Sequence, residues 1–351
     1  MFRLETGRYV EICSDHAQSI EDFDSIPIID FSELLSEDAN ARRKLAEKIY
    51  VACSTVGFFY AVNHGIPQDV TANAFEWSKK FFHGLTTAQK MKIDTALLPD
   101  SQYQGYFPFG SVNKSQKKLS DLMEAFNINY DYRYDPDKPS KPDAKQSNFI
   151  NLWPDEDLPE FKLHIEAYHA ECLKFSRRLV KLIAMALGLS PDYFDDAIRY
   201  PTAGLRIAHY PKQEASANDQ NGLGAHTDFD FITLVNQGNV GGLQVLNKKG
   251  QWIKAQPLTG SLVVNVGDCL MRLSNNRLSS TVHRVVNESG QARYSMPFFF
   301  GLNQNYVMEG LPSCVSDDNK YMYPVTTVGE YLEWRSRSSK SGNIHEFDNK
   351  R

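Results

Sequence analysis

Asn221-Gly222-Leu223-Gly224-Ala225-His226-Thr227-Asp228-Phe229-Asp230-Phe231-Ile232-Thr233-Leu234-Val235 opens on a glycine turn and runs into an aromatic and β-branched stretch of the kind strands favour. A chain on or entering a strand points residues i and i+2 to one face. His226 and Asp228 can therefore aim at one point. Further on, Ser280-Thr281-Val282-His283-Arg284-Val285-Val286 is also strand-like and supplies a second imidazole. Two imidazoles and one carboxylate suit a single divalent metal with open positions, as non-heme Fe(II) needs when it must also take O2 and a co-substrate. Such a distant third ligand requires strands far apart in sequence to lie side by side, as a barrel arranges them.

The spacing alone is weak. With 9 His and 43 acidic residues in 351, about one chance His-x-acid pair is expected. Two do occur: His164-Ile165-Glu166 and His169-Ala170-Glu171. Both lie in residues 160–187, where Leu163, Ala167, Ala170, Leu173, Leu179, Leu182, Ile183 and Leu187 recur at roughly helical spacing. On a helix, i and i+2 point about 200° apart. Neither pair can chelate, and both histidines read as solvated or helix-edge residues. His283 taken alone reads as a core histidine; the strand context of His226 and Asp228 makes it the third ligand.

Arg293 and Ser295 obey the same i, i+2 rule on a strand spanning 292–300. An arginine usually pairs with a surface acid. Here Met296-Pro297-Phe298-Phe299-Phe300 makes the strand a buried one, and a buried guanidinium needs an anionic partner. Its planar fork matches a carboxylate bidentately, and Ser295 adds a hydroxyl. The pair could grip a small carboxylate.

Around this centre the chain reads as helices first and a β core second. Ile26–Phe31 is a first strand. Residues 36–56 form a helix with Leu45, Ile49 and Ala52 on one face, 57–62 a second strand, and 69–82 a second helix. Residues 98–110 read as an aromatic-rich loop, 132–148 as an exposed linker, and the polar tail from Arg335 as frayed. From Arg206 to about Met308 short strands alternate with Gly and Asn turns, which predicts a sandwich or barrel. The division is 1–200, helical with the first strands packed on the core; 201–334, the β core with the site; and 335–351, the tail, in one integrated unit. The formal charge of −5 is spread along the chain and argues against nucleic acid or an anionic membrane as partner. The cluster Lys114, Lys117, Lys118 reads as a solvated loop. Cys13, Cys53, Cys172, Cys269 and Cys314 are odd in number, scattered and without CxxC spacing, as expected of free thiols in a reducing compartment. No signal peptide or bilayer-spanning run is recognised, so the expectation is a soluble cytoplasmic protein.

In order, Ile26-Pro27-Ile28-Ile29-Asp30-Phe31, Gly57-Phe58-Phe59, Asn63-His64-Gly65-Ile66-Pro67 and Gly105-Tyr106 are followed by Leu205-Arg206-Ile207-Ala208-His209-Tyr210-Pro211, Gly224-Ala225-His226-Thr227-Asp228 and Gly241-Gly242-Leu243-Gln244-Val245. Asn265-Val266-Gly267-Asp268, Ser280-Thr281-Val282-His283-Arg284-Val285 and Arg293-Tyr294-Ser295 complete the series. On these pieces nearly the whole chain resembles the Fe(II)- and 2-oxoglutarate-dependent dioxygenases of the isopenicillin N synthase-like group. Its pattern is similar to fungal members, including thymine 7-hydroxylase and oxygenases of secondary metabolism. The resemblance implies an α+β fold with a double-stranded β-helix, or jelly-roll, core flanked by helices. It implies Fe(II) on His226, Asp228 and His283, with 2-oxoglutarate on Arg293 and Ser295 helped by Tyr210. It implies O2 as oxidant, a small-molecule substrate and a monomeric state. Many plant members carry Asn where this chain has Ala208, which leaves Arg293, Ser295 and Tyr210 to hold the co-substrate.

The implied reaction oxidises an unactivated C–H, by hydroxylation or desaturation, with succinate and CO2 as co-products. No side chain beyond the metal ligands is nominated as catalytic. For the substrate, Phe229 follows the metal Asp, Phe299 shares the Arg293 face if no bulge intervenes, Asp230 and Arg206 are polar candidates, and Tyr103, Tyr106 and Phe107 could form a lid. Core packing is the competing reading for each aromatic. Four other functions stay open on sequence alone: a thymine-like pyrimidine hydroxylase, a family oxidase without 2-oxoglutarate, a non-catalytic binding module, and a zinc hydrolase, which would want a general base that is not found.

Overall fold

Strand pairing across long sequence distances dominates the computed structural model, which describes residues 2–3, 9–10, 22–98, 104–111, 122–137, 151–212, 222–287 and 289–341. In chain order the elements are β1 (Ile28–Asp30), α1 (Ala39–Thr55), β2 (Phe58–Val62), α2 (Gln68–Lys79), β3 (Gly105–Phe107), β4 (Glu124–Ile128) and α3 (Phe161–Ala186). Then come β5 (Thr202–Tyr210), β6 (Leu223–His226), β7 (Ile232–Asn236), β8 (Leu243–Leu246), β9 (Trp252–Lys254), β10 (Leu262–Val266), α4 (Asp268–Leu273), β11 (His283–Val285), β12 (Arg293–Gly301) and α5 (Val328–Ser341).

Eight strands form one sheet in the order β1-β2-β10-β7-β12-β5-β4-β3, and four form a second in the order β9-β8-β11-β6. All pairs are antiparallel except β1 with β2. The chain crosses between the sheets, as a double-stranded β-helix requires, and the α+β class is as expected. One face of the large sheet buries Phe126, Leu205, Ile207, Leu234, Met296, Phe298 and Phe300 in the core that it shares with α3, against which α1 and α2 pack. The other face looks toward the small sheet. There Phe58, Tyr60 and Val263 meet Leu243 and Val245 to close one part of the interior.

The long helix is set by a stripe of Phe161, Ile165, Tyr168, Cys172, Phe175 and Leu179, all buried, which steps by four and three residues as an amphipathic helix does. Leu163 lies two residues off that stripe and is 66% exposed, and Ala167 is exposed with it. The expected phase is therefore corrected over the first two turns. His169, expected at the solvent edge, is instead buried. Its Nε2 hydrogen-bonds the Ala203 carbonyl at 3.0 Å, and its ring meets Phe298 edge-on. Burial, the largest influence, pushes its pKa down to about 4.

Three further expectations change. The loop at 98–110 contains β3, because Gly105, Tyr106 and Phe107 pair with β4. Of the linker expected at 132–148 only 132–137 are described, and there Asp135 takes both guanidinium arms of Arg177 at 2.7 and 2.6 Å and the Tyr130 hydroxyl at 2.6 Å; 138–148 lie outside the described residues. The tail does not fray at Arg335: α5 runs on to Ser341 and Arg335 pairs with Asp268 at 2.5 Å; the rest of the tail, 342–351, lies outside the described residues. Cys53, Cys172, Cys269 and Cys314 are free and buried. Cys13, Tyr103 and the Lys114, Lys117, Lys118 cluster lie outside the described residues. Among those residues no helix is long and apolar enough to cross a membrane.

Candidate metal and co-substrate site

His226 ends β6 and His283 begins β11, and antiparallel register sets the two directly opposite each other. Their ring centroids are 4.3 Å apart. Asp228 is not on a strand. The stretch from Thr227 to Phe231 connects the small sheet to β7 of the large sheet, so the strand expected from Phe229 begins only at Ile232. The convergence predicted from i, i+2 spacing holds for another reason: the carboxylate is fixed from behind. Thr233 Oγ1 and Asn265 Nδ2 both donate to Asp228 Oδ2, at 2.7 and 2.8 Å. The other oxygen, Oδ1, is left 3.6 Å from His226 Nε2 and 3.7 Å from His283 Nε2.

The imidazoles are held in the same manner. His226 Nδ1 lies 2.8 Å from the Gly224 carbonyl and His283 Nδ1 3.1 Å from the Thr281 carbonyl. A carbonyl only accepts, so each Nδ1 carries a proton, and it is Nε2 that offers the lone pair of the neutral ring. Backbone partners of this kind orient histidine ligands and raise their basicity. Burial first, then His283 and more weakly Arg206, push His226 down to about 4, so the ring is neutral at neutral pH. Burial raises Asp228, but the two imidazoles and the two donors on Oδ2 outweigh it and hold the carboxyl below its usual range. Two imidazole nitrogens and one carboxylate oxygen, all within 4.8 Å of one another, fit a divalent cation.

Tight backbone approach keeps the connector in place. Asp268 N–H donates to the Asp228 carbonyl at 2.8 Å. A Cβ at Gly267 would sit 2.0 Å from the Asp230 carbonyl oxygen, so no larger residue fits there.

On the large sheet, Arg293 faces Tyr210 and Ser295 faces Ala208 across the β5–β12 pair. Arg293 is 1% exposed. Its Nη1 donates to Ser295 Oγ at 3.1 Å, its guanidinium carbon lies 4.9 Å from the centre of the Tyr210 ring, and its Nε has no partner. No carboxylate pairs with it among the described residues. Burial, the largest influence, lowers its pKa. A buried cation lacking an anion is costly, and the arrangement fits a carboxylate ligand. Gly242, at φ +143°, would place a Cβ 3.3 Å from Arg293 Cδ; its bare backbone makes room for the arginine. Ala208 supplies no polar group.

Beyond Ser295 the inner positions of β5 and β12 continue away from Arg293. The β12 register is unbroken, so Phe299 shares the Arg293 face, opposite Gly204 and Thr233. Arg206 donates from Nε to Asn127 Oδ1 at 3.1 Å and lies 5.6 Å from the Phe107 ring centre. Asp230 takes the Thr202 hydroxyl at 3.3 Å; burial, and then the Asp228 carboxylate, push it up to about 7. The expected lid divides by strand parity. Phe107 turns inward beside Ala208 and Tyr210. Tyr106 turns outward, buried against Phe81, with its hydroxyl on Glu124 at 2.7 Å. Tyr106 therefore belongs to the core. Thr233, Asn265, Asn127 and Arg335 were not singled out from the sequence, although Asn265 stood within one of the pieces that carried the resemblance.

The profile described as the 2OG-Fe(II) oxygenase superfamily matches residues 201–302, and the one described as non-haem dioxygenase in morphine synthesis N-terminal matches 26–156. The chain is 36% identical over 341 residues to the 2-oxoglutarate-Fe(II) type oxidoreductase ppzC of Metarhizium majus, covering 93% of this chain and 89% of that protein. The chain belongs to the 2-oxoglutarate- and Fe(II)-dependent oxygenase family. It is also 36% identical over 316 residues to homoarginine-6-hydroxylase 2-ODD-C23.1 of Arabidopsis thaliana, covering 86% of this chain and 91% of that one. Among solved structures it is similar to that of a full-length Neurospora crassa protein in complex with alpha-KG and thymine: TM-score 0.79, 29% identity, 90% of this chain and 97% of that chain covered. The family uses Fe(II), 2-oxoglutarate and O2, and this protein is an oxidoreductase of that kind.

Proposed function

We propose that His226 Nε2, Asp228 Oδ1 and His283 Nε2 hold one Fe(II), and that Arg293, Ser295 and Tyr210 receive the distal carboxylate of 2-oxoglutarate. The observation that carries this is the division of labour at each ligand. Both Nδ1 atoms and Oδ2 are already hydrogen-bonded to protein, and only the three converging atoms remain for a metal. Bound there, Fe(II) with 2-oxoglutarate and O2 supplies an oxidant able to attack an unactivated C–H, releasing succinate and CO2. The protein's own part is positioning. Thr233 and Asn265 fix the carboxylate, Gly224 and Thr281 fix the imidazoles, and the Arg293 guanidinium, with no anion among the described residues, orients the co-substrate and offsets its charge.

The substrate is a small organic molecule with an apolar body. Phe229, Phe299 and Phe107 offer apolar surface, while Arg206 and Asp230 offer a donor and a carboxyl for its polar groups. Arg206, already ordered by Asn127, is the residue on which a carbonyl or carboxylate of the substrate would dock.

The test is anaerobic titration of the purified protein with Fe(II) and then 2-oxoglutarate, followed by succinate release on admitting O2. A visible charge-transfer band that needs both ligands, and succinate production lost in Asp228→Ala, are expected. Oxygen uptake without succinate would instead assign the site to an oxidase that does not use 2-oxoglutarate.

A further inference from the structure

The segment beyond β12 lies outside both matched profiles, the later of which ends at residue 302, yet its last helix reaches the metal connector. From α5, Arg335 extends a side chain only 19% exposed to the Asp268 carboxylate, itself 5% exposed, at 2.5 Å. The same guanidinium lies 4.2 Å from the centre of the Phe229 ring, and its Nη2 is 3.4 Å from Thr227 Oγ1. Thr227 and Phe229 are the two neighbours of Asp228. Asp268 binds this region from the other side: Oδ2 accepts from Thr227 Oγ1 at 3.2 Å and from the Tyr331 hydroxyl at 3.3 Å, Oδ1 accepts from Ser280 Oγ at 2.6 Å, and its N–H holds the Asp228 carbonyl. Ser280 begins the segment that leads to His283.

We infer that Arg335 is a positioning residue of the metal centre, clamping through Asp268, Thr227 and Phe229 the connector that presents Asp228. The physical reason is that Asp228 is held on a connector between sheets rather than in a strand. Its carboxylate is fixed by Thr233 and Asn265, and its backbone by Asp268 and by the clamp on both flanking side chains. A planar, doubly donating cation that also stacks on an aromatic ring does this, and a lysine ammonium does it only in part. Loss of such supporting contacts around metal ligands typically weakens metal binding about 10- to 100-fold. Arg335 touches no ligand atom and acts through the connector.

The inference rests on the assignment of Asp228 as a ligand, and the experiment separates the two. Full-length protein is titrated anaerobically with Fe(II) alone by calorimetry, with the metal-free melting temperature recorded in parallel, for wild type, Asp228→Ala, Arg335→Met, Arg335→Lys and the exposed control Arg337→Gln. The expected result is no binding in D228A, at least tenfold weaker binding in R335M, a smaller loss in R335K and no change in R337Q. If D228A binds Fe(II) normally, the ligand assignment fails. If D228A loses the metal while R335M keeps wild-type affinity, with only its melting temperature lowered, Arg335 merely docks the helix and the inference is overturned. Should R335M not fold, R335K decides: wild-type affinity in that variant overturns it, and a reproducible loss supports it.

Discussion

Two buried charged groups sit back to back on the β4–β5–β12 region of the large sheet, and they differ in completeness. On the outer face Glu124 takes the Lys90 ammonium at 2.8 Å and the Tyr106 hydroxyl at 2.7 Å on one oxygen, and His209 Nδ1 at 2.8 Å on the other. The Lys90 ammonium also donates to the Phe82 carbonyl at 3.3 Å. Charge is balanced, and every carboxylate oxygen has a donor. On the inner face, one residue along each strand, Arg293 is equally buried and has no anion among the described residues, and across the interior Asp228 turns one oxygen toward the Nε2 atoms of His226 and His283. Nothing in folding alone rewards that arrangement. A buried charge without a partner costs several kcal/mol, so the missing counter-charges are the outline of what binds. The outer group holds the sheet under its helices; the inner one is a mould for a dication and a carboxylate.

The strongest way to break this comparison is Asp228→Ala. It should abolish Fe(II) binding and succinate release, while calorimetric or optical melting shows a folded protein. A folded variant that still released succinate in an iron-dependent manner would sink the ligand assignment. Glu124→Gln, the matching change on the outer face, should leave the 2-oxoglutarate requirement alone and strike stability. Removing one member of a buried ion pair costs about 3–5 kcal/mol, read as a lower midpoint in denaturant. Its pH dependence has a definite sign. Burial raises the Glu124 carboxyl, but hydrogen bonds from His209, Lys90 and Tyr106 outweigh it and hold its pKa below the ordinary value of 4.5. Its contribution is thus fully present above that value and is lost as acid protonates it in the folded state. The wild type should lose stability over that acid range, and E124Q should show less of that loss.

Arg293→Met sharpens the contrast further. The half-saturating concentration of 2-oxoglutarate should rise about a hundredfold, matching the roughly 1.5–3 kcal/mol of a charge-assisted hydrogen bond. Stability of the metal-free protein should hold or improve, because an uncompensated buried cation has been replaced by an apolar chain of similar length. A destabilised R293M would mean that the guanidinium has a counter-charge within the protein, and the inner face would then resemble the outer one.

How far the sequence showed this depends on what set each feature. Strand parity is local, so Arg293 with Ser295 was legible once the strand was recognised; Tyr210 came only with the resemblance, because no local pattern reveals that it stands opposite Arg293; His226 and His283 on separate strands were legible in kind, though not in register. Asp228 was found by the right spacing on a strand that is absent, because donors from β7 and β10 replace the strand as its support. The first turns of the long helix were misphased because Leu163 and Ala167 are apolar but lie off the Phe161–Ile165–Tyr168 stripe. His169 was misplaced because the carbonyl that satisfies it, on Ala203, comes from another element. Tyr106 and Phe107 were grouped as a lid because a three-residue strand leaves too short a pattern to reveal that neighbours face opposite ways. Arg335 was hidden in a polar segment; only its i, i+4 spacing from Tyr331 hinted at a shared buried face.

The smallest effect tests the finest point. Arg293 Nη1 donates to Ser295 Oγ, so the hydroxyl's own proton must point elsewhere and is available to a bound carboxylate. Ser295→Ala therefore removes one donor to the co-substrate and one acceptor for the guanidinium together. A net loss of about 1 kcal/mol corresponds to a five- to tenfold rise in half-saturating 2-oxoglutarate, with Fe(II) affinity unchanged. Combining it with Arg293→Met decides which half matters. If the hydroxyl serves the carboxylate directly, Ser295→Ala should still weaken 2-oxoglutarate binding in the R293M background. If it serves only to aim the arginine, the second change should add nothing, because there is no guanidinium left to aim.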